Sequence, residues 1–259
     1  GGLLGRAVLE TVVPKIFLST TSHEYWGRAA SLIHTTADGK RDAVIGSNIR
    51  IYFFTGLQHF SGPFPPARGE SWFFGQEPES PLPIRFFWRA MISNMDAWVR
   101  SGTDPPPSAY PTVSAHTLVP LHKLAFPRIP DVALPHETNT AYRLDYGPHW
   151  RDGILAIQPP HIGKPFPVLV PQVDADGNEL GGVHLPEISV PLATYTGWNL
   201  RDPSIGAASQ RVAMVGSYLP FPKTAGERKQ SGDPRKSIAE RYSDREAYLA
   251  GFARATDEL

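Results

Sequence analysis

The hydrophobic pattern changes character near residue 105. Before that point, short apolar runs alternate with stretches in which apolar residues recur every three or four positions. Leu3, Leu4, Ala7, Val8 and Val12 make a weak helical face, stopped by Pro14. Lys15–Leu18 follows as a run without alternation, the pattern of a strand buried on both faces. Residues 25–34 place Trp26, Ala29, Ala30 and Ile33 on one side of a predicted helix, and Thr36-Ala-Asp-Gly-Lys40 reads as a turn. Ile49–Phe54, dense in β-branched and aromatic residues, is a second strand. A loop over 62–83, punctuated by Gly and Pro, carries Trp72, Phe73 and Phe74. The strongest helix signal spans Ile84–Arg100, where Ile84, Phe87, Trp88, Met91, Met95 and Trp98 approach i, i+3, i+4, i+7 spacing. This order predicts α/β architecture with parallel strands.

From Tyr110 onward short apolar runs sit between prolines and glycines: Thr117–Leu121, Ile154–Ile157, Val168–Val173, Val183–Leu185 and Ile188–Ala193. They predict a mostly antiparallel, loop-rich region. Asp174-Ala-Asp-Gly-Asn178 has the chemistry of a hairpin turn. It resembles a calcium loop only superficially, since the full EF-hand spacing is absent. Pro234 onward, with Ile238, Tyr242, Tyr248 and Phe252, predicts a terminal helix. The expected organisation is therefore an α/β part over 1–105, a β-rich accessory region over 106–230 and a helical segment over 231–259.

Composition narrows the partners. Lys plus Arg and Asp plus Glu are both 25, so no net field favours nucleic acid, and no basic run with interleaved aromatics exists. There is no cysteine among the 259 residues, which removes disulfides, thiolate nucleophiles and thiolate-bound metals. No apolar run reaches the ~20 residues of a membrane span. The N-terminus lacks the features of a signal peptide and an initiator Met, which reads as a chain cut from something longer; the compartment stays open. His23, His34, His116, His122, His136, His149, His161 and His184 show no metal-ligand spacing, so no metal or cofactor is expected. His34 would close its helix as a cation on the dipole.

One pair stands out. Glu24 and His59 each follow a predicted strand at its C-terminal end, the edge where open α/β sheets place their sites. A carboxylate accepting from one imidazole nitrogen fixes the tautomer and leaves the other nitrogen free to take a proton from a hydroxyl. The plainer reading is that Glu24 caps the next helix and His59 is an ordinary loop histidine. The pattern alone does not separate the two.

Several phrases carry a resemblance. Ser19-Thr-Thr-Ser-His-Glu-Tyr-Trp-Gly-Arg-Ala-Ala30 and Tyr52-Phe-Phe-Thr-Gly-Leu-Gln-His59 are joined by Leu169–Glu179, Val190–Arg201 and Gly232–Tyr242. Over essentially its whole length the chain resembles the C-terminal portion of a large bacterial α/β-hydrolase-domain family. The resemblance implies the C-terminal part of a hydrolase sheet, parallel strands with helices, followed by the β-rich accessory region. It also implies serine hydrolase chemistry, with Glu24 as triad acid and His59 as general base. The nucleophile elbow is missing: Gly46-Ser-Asn and Gly216-Ser-Tyr do not match Gly-x-Ser-x-Gly, and both come after the acid. The serine and much of the oxyanion hole would then belong to a missing N-terminal half of the same domain, the partner this chain requires. The chain alone is expected to be inactive. The intact protein would be a carboxylic-ester hydrolase taking a small-molecule ester. The alternative is a non-catalytic binding or structural module that keeps a hydrolase-like half-sheet. Trp72 and Phe73, in the loop after His59, and Tyr195, Trp198 and Arg201 in Thr194–Arg201 are candidates for lining a substrate pocket.

Overall fold

A computed structural model describes residues 13–259; the helix expected over Leu3–Val12 lies outside them. Strands β1 (Ile16–Thr21) and β2 (Ile49–Phe54) run parallel, with Ile16 opposite Ile49 and Thr21 opposite Phe54. On its far edge β2 meets two further segments in parallel orientation, at Ala109 and Val183. The Phe53 amide donates to the Ala109 carbonyl at 2.8 Å, and the Val183 amide to the Phe53 carbonyl at 2.7 Å. The parallel arrangement is thus present, but only as two paired strands and two single bridges. Every named sheet among the described residues has two strands.

Helix α1 (Ser22–Gly27) begins on the residue after β1. The single helix expected over 25–34 is a correction: Ala29 turns left-handed at φ 53°, and the chain continues as a 3₁₀ turn over Ala30–Ile33. The start is set by capping chemistry at Thr21 and Glu24, which the apolar face did not register. Helix α2 (Arg85–Ser101) falls within a residue of expectation and ends on left-handed Gly102, φ 70°. Its inner stripe is Ile84, Phe87 and Met91 against the sheet side, with Trp98 stacked on Phe17 at 5.6 Å. Trp88 lies outside that stripe and is exposed.

The later region keeps its antiparallel character with altered boundaries. Strand β3 (Leu118–Pro120) pairs with β6 (Leu169–Pro171), and β4 (Tyr142–Asp145) with β5 (His161–Pro165). Strand β7 (Ala193–Thr196) pairs with β8 (Ser217–Pro220). Ile154–Ile157 forms no strand, and Val183–Leu185 contributes only its bridge to Phe54. Ile188–Ala193 divides between helix α3 (Pro186–Ser189) and the start of β7. The β4–β5 ribbon is exposed along its length, so no buried face imposed an alternation to read. Asp174–Asn178 is a hairpin turn: Val173 bridges Glu179, and the Asp174 carboxylate accepts from the Asp176 and Asn178 amides at 2.9 Å each. The terminal helix expected from Pro234 onward divides into α5 (Ile238–Arg241) and α6 (Arg245–Asp257), and a further helix, α4 (Ala225–Ser231), precedes it at the end of the stretch expected to be β-rich.

Two apolar clusters hold these pieces together. One joins Tyr25, Trp26, Ala30 and Phe53 to Leu118, Leu169, Val170 and Trp198. The other joins Tyr52, Phe54, Leu57 and Leu82 to Leu185, Ile188, Ala193 and Tyr195. Both straddle residue 105, so the α/β part and the region after it share their core.

Candidate active site

Glu24 and His59 meet. His59 Nδ1 lies 2.6 Å from Glu24 Oε1. The parallel register brings this about: β1 and β2 end side by side at Thr21 and Phe54, and each chain then turns at the same edge. Glu24 uses its other oxygen locally, where Oε2 accepts the Thr21 amide at 2.6 Å and the Thr21 hydroxyl at 2.5 Å. The capping role and the histidine-pairing role, which compete on the sequence pattern, are therefore both filled by one carboxylate through different oxygens. Burial by itself would raise the Glu24 carboxyl. Hydrogen bonds from the Thr21 hydroxyl, the His59 ring and the Thr21 amide, with His23 nearby, outweigh it and hold the pKa below the ordinary carboxylate value.

The Glu24 side chain is 17% exposed and that of His59 52%, so the pair sits at an accessible edge rather than in the core. The backbone beneath His59 is held from below: its amide donates to the Met214 carbonyl at 3.2 Å. The neighbouring Gln58 is fully buried, donating to Glu79 at 3.0 Å and accepting from the Gly216 amide at 2.9 Å. Among the described residues His59 Nε2 has no hydrogen-bond partner.

His23 packs edgewise on the His59 ring with centroids 5.9 Å apart. It is buried, its Nε2 has no partner, and burial lowers its pKa to about 4. His34 is also a correction. It is buried and hydrogen-bonded to the Tyr25 hydroxyl at 2.7 Å, and burial lowers it to about 4, so it is a neutral core histidine and no cation for a helix end.

The pocket candidates separate. Phe73 packs edge-to-face with Phe60, the residue after His59, at 6.3 Å, and Trp72 beyond it is 75% exposed. Tyr195 and Trp198 belong to the two core clusters. With Glu179 they border a void of about 10 Å³, room for roughly one water. The Arg201 guanidinium is spent on the Ile205 and Gly206 carbonyls of its own loop, at 2.9 Å each. Residues the sequence did not single out include Thr21, Met214 and, above all, Glu179, a buried acid joined to Ser22 and Gly56. Among the described residues no three His, Asp or Glu side chains converge as a metal ligand set.

A family model of the alpha/beta hydrolase domain matches residues 5–259, and the chain belongs to that family. Neither the curated proteins nor the solved structures contain a significant match. Among the described residues no helix is long and apolar enough to cross a membrane.

Proposed function

We propose that this chain contributes the acid and the base of a serine hydrolase acting on small carboxylic esters, with the nucleophilic serine supplied by polypeptide outside these 259 residues. The observation that carries the reading is the 2.6 Å contact between His59 Nδ1 and Glu24 Oε1 at the ends of adjacent parallel strands. Glu24 would hold Nδ1–H and so leave Nε2 as the proton acceptor. When the serine oxygen attacks the ester carbonyl, its proton passes to Nε2, and the Glu24 carboxylate stabilises the imidazolium. The same proton then goes to the departing alkoxide. Water repeats the cycle on the acyl-serine, with His59 again taking and returning the proton. Phe73 and the exposed Trp72 border the loop after His59 and offer apolar surface to the acyl or alcohol group.

The absence of a Gly-x-Ser-x-Gly elbow from the sequence favours a second reading, a non-catalytic binding or structural module. A serine-directed fluorophosphonate and a p-nitrophenyl ester assay separate the two. The 259-residue chain should neither label nor turn over ester. Labelling at Ser71, which is exposed, has φ 56° and stands in Gly69-Glu-Ser-Trp-Phe73, would instead place the nucleophile within this chain. In the protein that carries the serine, His59→Ala should lower kcat by at least about 10³-fold and Glu24→Gln somewhat less. Undiminished turnover in His59→Ala would sink the hydrolase reading.

A further inference from the structure

Glu179 does not touch the Glu24–His59 pair, yet it touches both segments that carry it. It follows the Asp174–Asn178 turn and is fixed there by the bridge between Val173 and Glu179. From that position its Oε2 accepts the Ser22 hydroxyl and, at 2.9 Å, the Gly56 amide. Ser22 is the first residue after β1 and stands two before Glu24. Gly56 comes just past β2 and stands three before His59. One carboxylate oxygen therefore ties together the two strand ends from which the acid and the base project.

The surroundings make this costly. Glu179 is buried, and that burial pushes its carboxyl up to about 7. The carboxylate faces the Ser22 hydroxyl and the Gly56 amide, with the Tyr25 phenol close by. The His184 ring hydrogen-bonds the Glu179 backbone, and burial lowers its pKa; among the described residues no basic side chain is hydrogen-bonded to the carboxylate itself. A buried acid without a cation is a poor choice for stability alone, since a neutral side chain of the same shape would avoid the desolvation penalty. The β1–β2 ladder stops at Thr21 and Phe54, and beyond it the two segments have little else in common. The His23 amide reaches the Leu57 carbonyl only at 3.4 Å, the long end of hydrogen bonding.

We propose that Glu179 is a positioning residue: by clamping Ser22 and Gly56 it sets the separation and angle at which Glu24 meets His59. The catalytic meaning of that clamp rests on the hydrolase reading above, but the clamp itself is testable without turnover. The probe is the His59 Nδ1–H proton resonance of the 259-residue chain, isotope-labelled and observed by NMR at low temperature. A hydrogen bond to Glu24 moves that proton downfield and slows its exchange. Glu24→Gln should abolish the downfield signal; if it does not, the pairing underlying the hydrolase reading fails. With that control in place, Glu179→Ala should lose or broaden the resonance, and Glu179→Gln, which still accepts both donors, should keep it. An unchanged resonance in Glu179→Ala, with only a lowered melting temperature, overturns the proposal and makes Glu179 merely structural. If Glu179→Ala does not fold, Ser22→Ala decides: loss or broadening supports the clamp, and an unchanged resonance overturns it.

Discussion

His34 and His23 are held neutral inside the protein, and this gives their neighbourhood a pH signature that can be worked out residue by residue. Burial lowers each pKa from 6.5 to about 4, so the native state resists protonation that the unfolded chain accepts readily. The contribution of each is fully present above pH 6.5 and is lost as the pH falls toward 4. At pH 5 the linkage amounts to about 2 kcal/mol per histidine. Glu179 runs the other way. Its folded pKa of about 7 lies above the ordinary 4.5, so the native state is favoured while it stays protonated. That contribution is complete below pH 4.5 and disappears as the pH rises through 7, by about 3 kcal/mol in total. Urea unfolding at pH 5 and pH 8 should therefore show His34→Gln losing less stability on acidification than the parent. Glu179→Gln should lose less on alkalinisation. A parent and variants with identical pH slopes would show that neither site is coupled to folding in this way.

At the scale of elements, what matters is how closely the loops after the strands approach one another. Gly197, just after β7, lies so near the start of α1 that an added Cβ would stand 2.3 Å from both the carbonyl carbon and the Cβ of Ser22. The backbone has to move to accept a methyl there, so Gly197→Ala should cost about 1–3 kcal/mol and disturb the Glu24 end of the site. Gly226, inside helix α4, is the contrast: its added Cβ meets only the Thr224 hydroxyl at 3.7 Å. Gly226→Ala should stabilise by about 0.5–1 kcal/mol through helix propensity alone. Thermal melts of the two variants check both signs. The same distinction explains what could be read from the chain. Strand β2 and helix α2 were legible because each has a buried face that imposes its own period on a continuous stretch. The meeting of Glu24 and His59 was legible because strand ends mark an edge. The helix over 25–34 was misread because its start depends on one carboxylate–threonine contact and its end on Ala29 turning left-handed, neither of which leaves a period. Glu179 was invisible for a related reason. Its burial is created by segments far away in sequence, and an acid after a turn normally signals solvent.

For the molecule as a whole, the decisive feature is one apolar side left open. Among the described residues strand β1 pairs only with β2, and nothing adds a strand on its other edge. Beside β1, helix α2 exposes Trp88, Ile92 and Val99, and Ile92 is 70% exposed. Phe17, Met91, Ile92, Met95 and Val99, with Asp96 as the one charged member, border a shallow hollow of about 460 Å³ between strand and helix. An unpaired edge next to a contiguous apolar helix face is a template for association. Net charge adds no long-range repulsion between copies, because basic and acidic residues balance at 25 each. The chain at neutral pH should therefore self-associate at micromolar concentrations, and added sulfate should strengthen the association because apolar burial drives it. Sedimentation velocity over a concentration series reads this directly. Ile92→Lys with Val99→Lys should shift the distribution toward monomer without lowering the melting temperature, since both side chains already face solvent. A parent that sediments as a single monomeric species at every concentration would contradict the prediction.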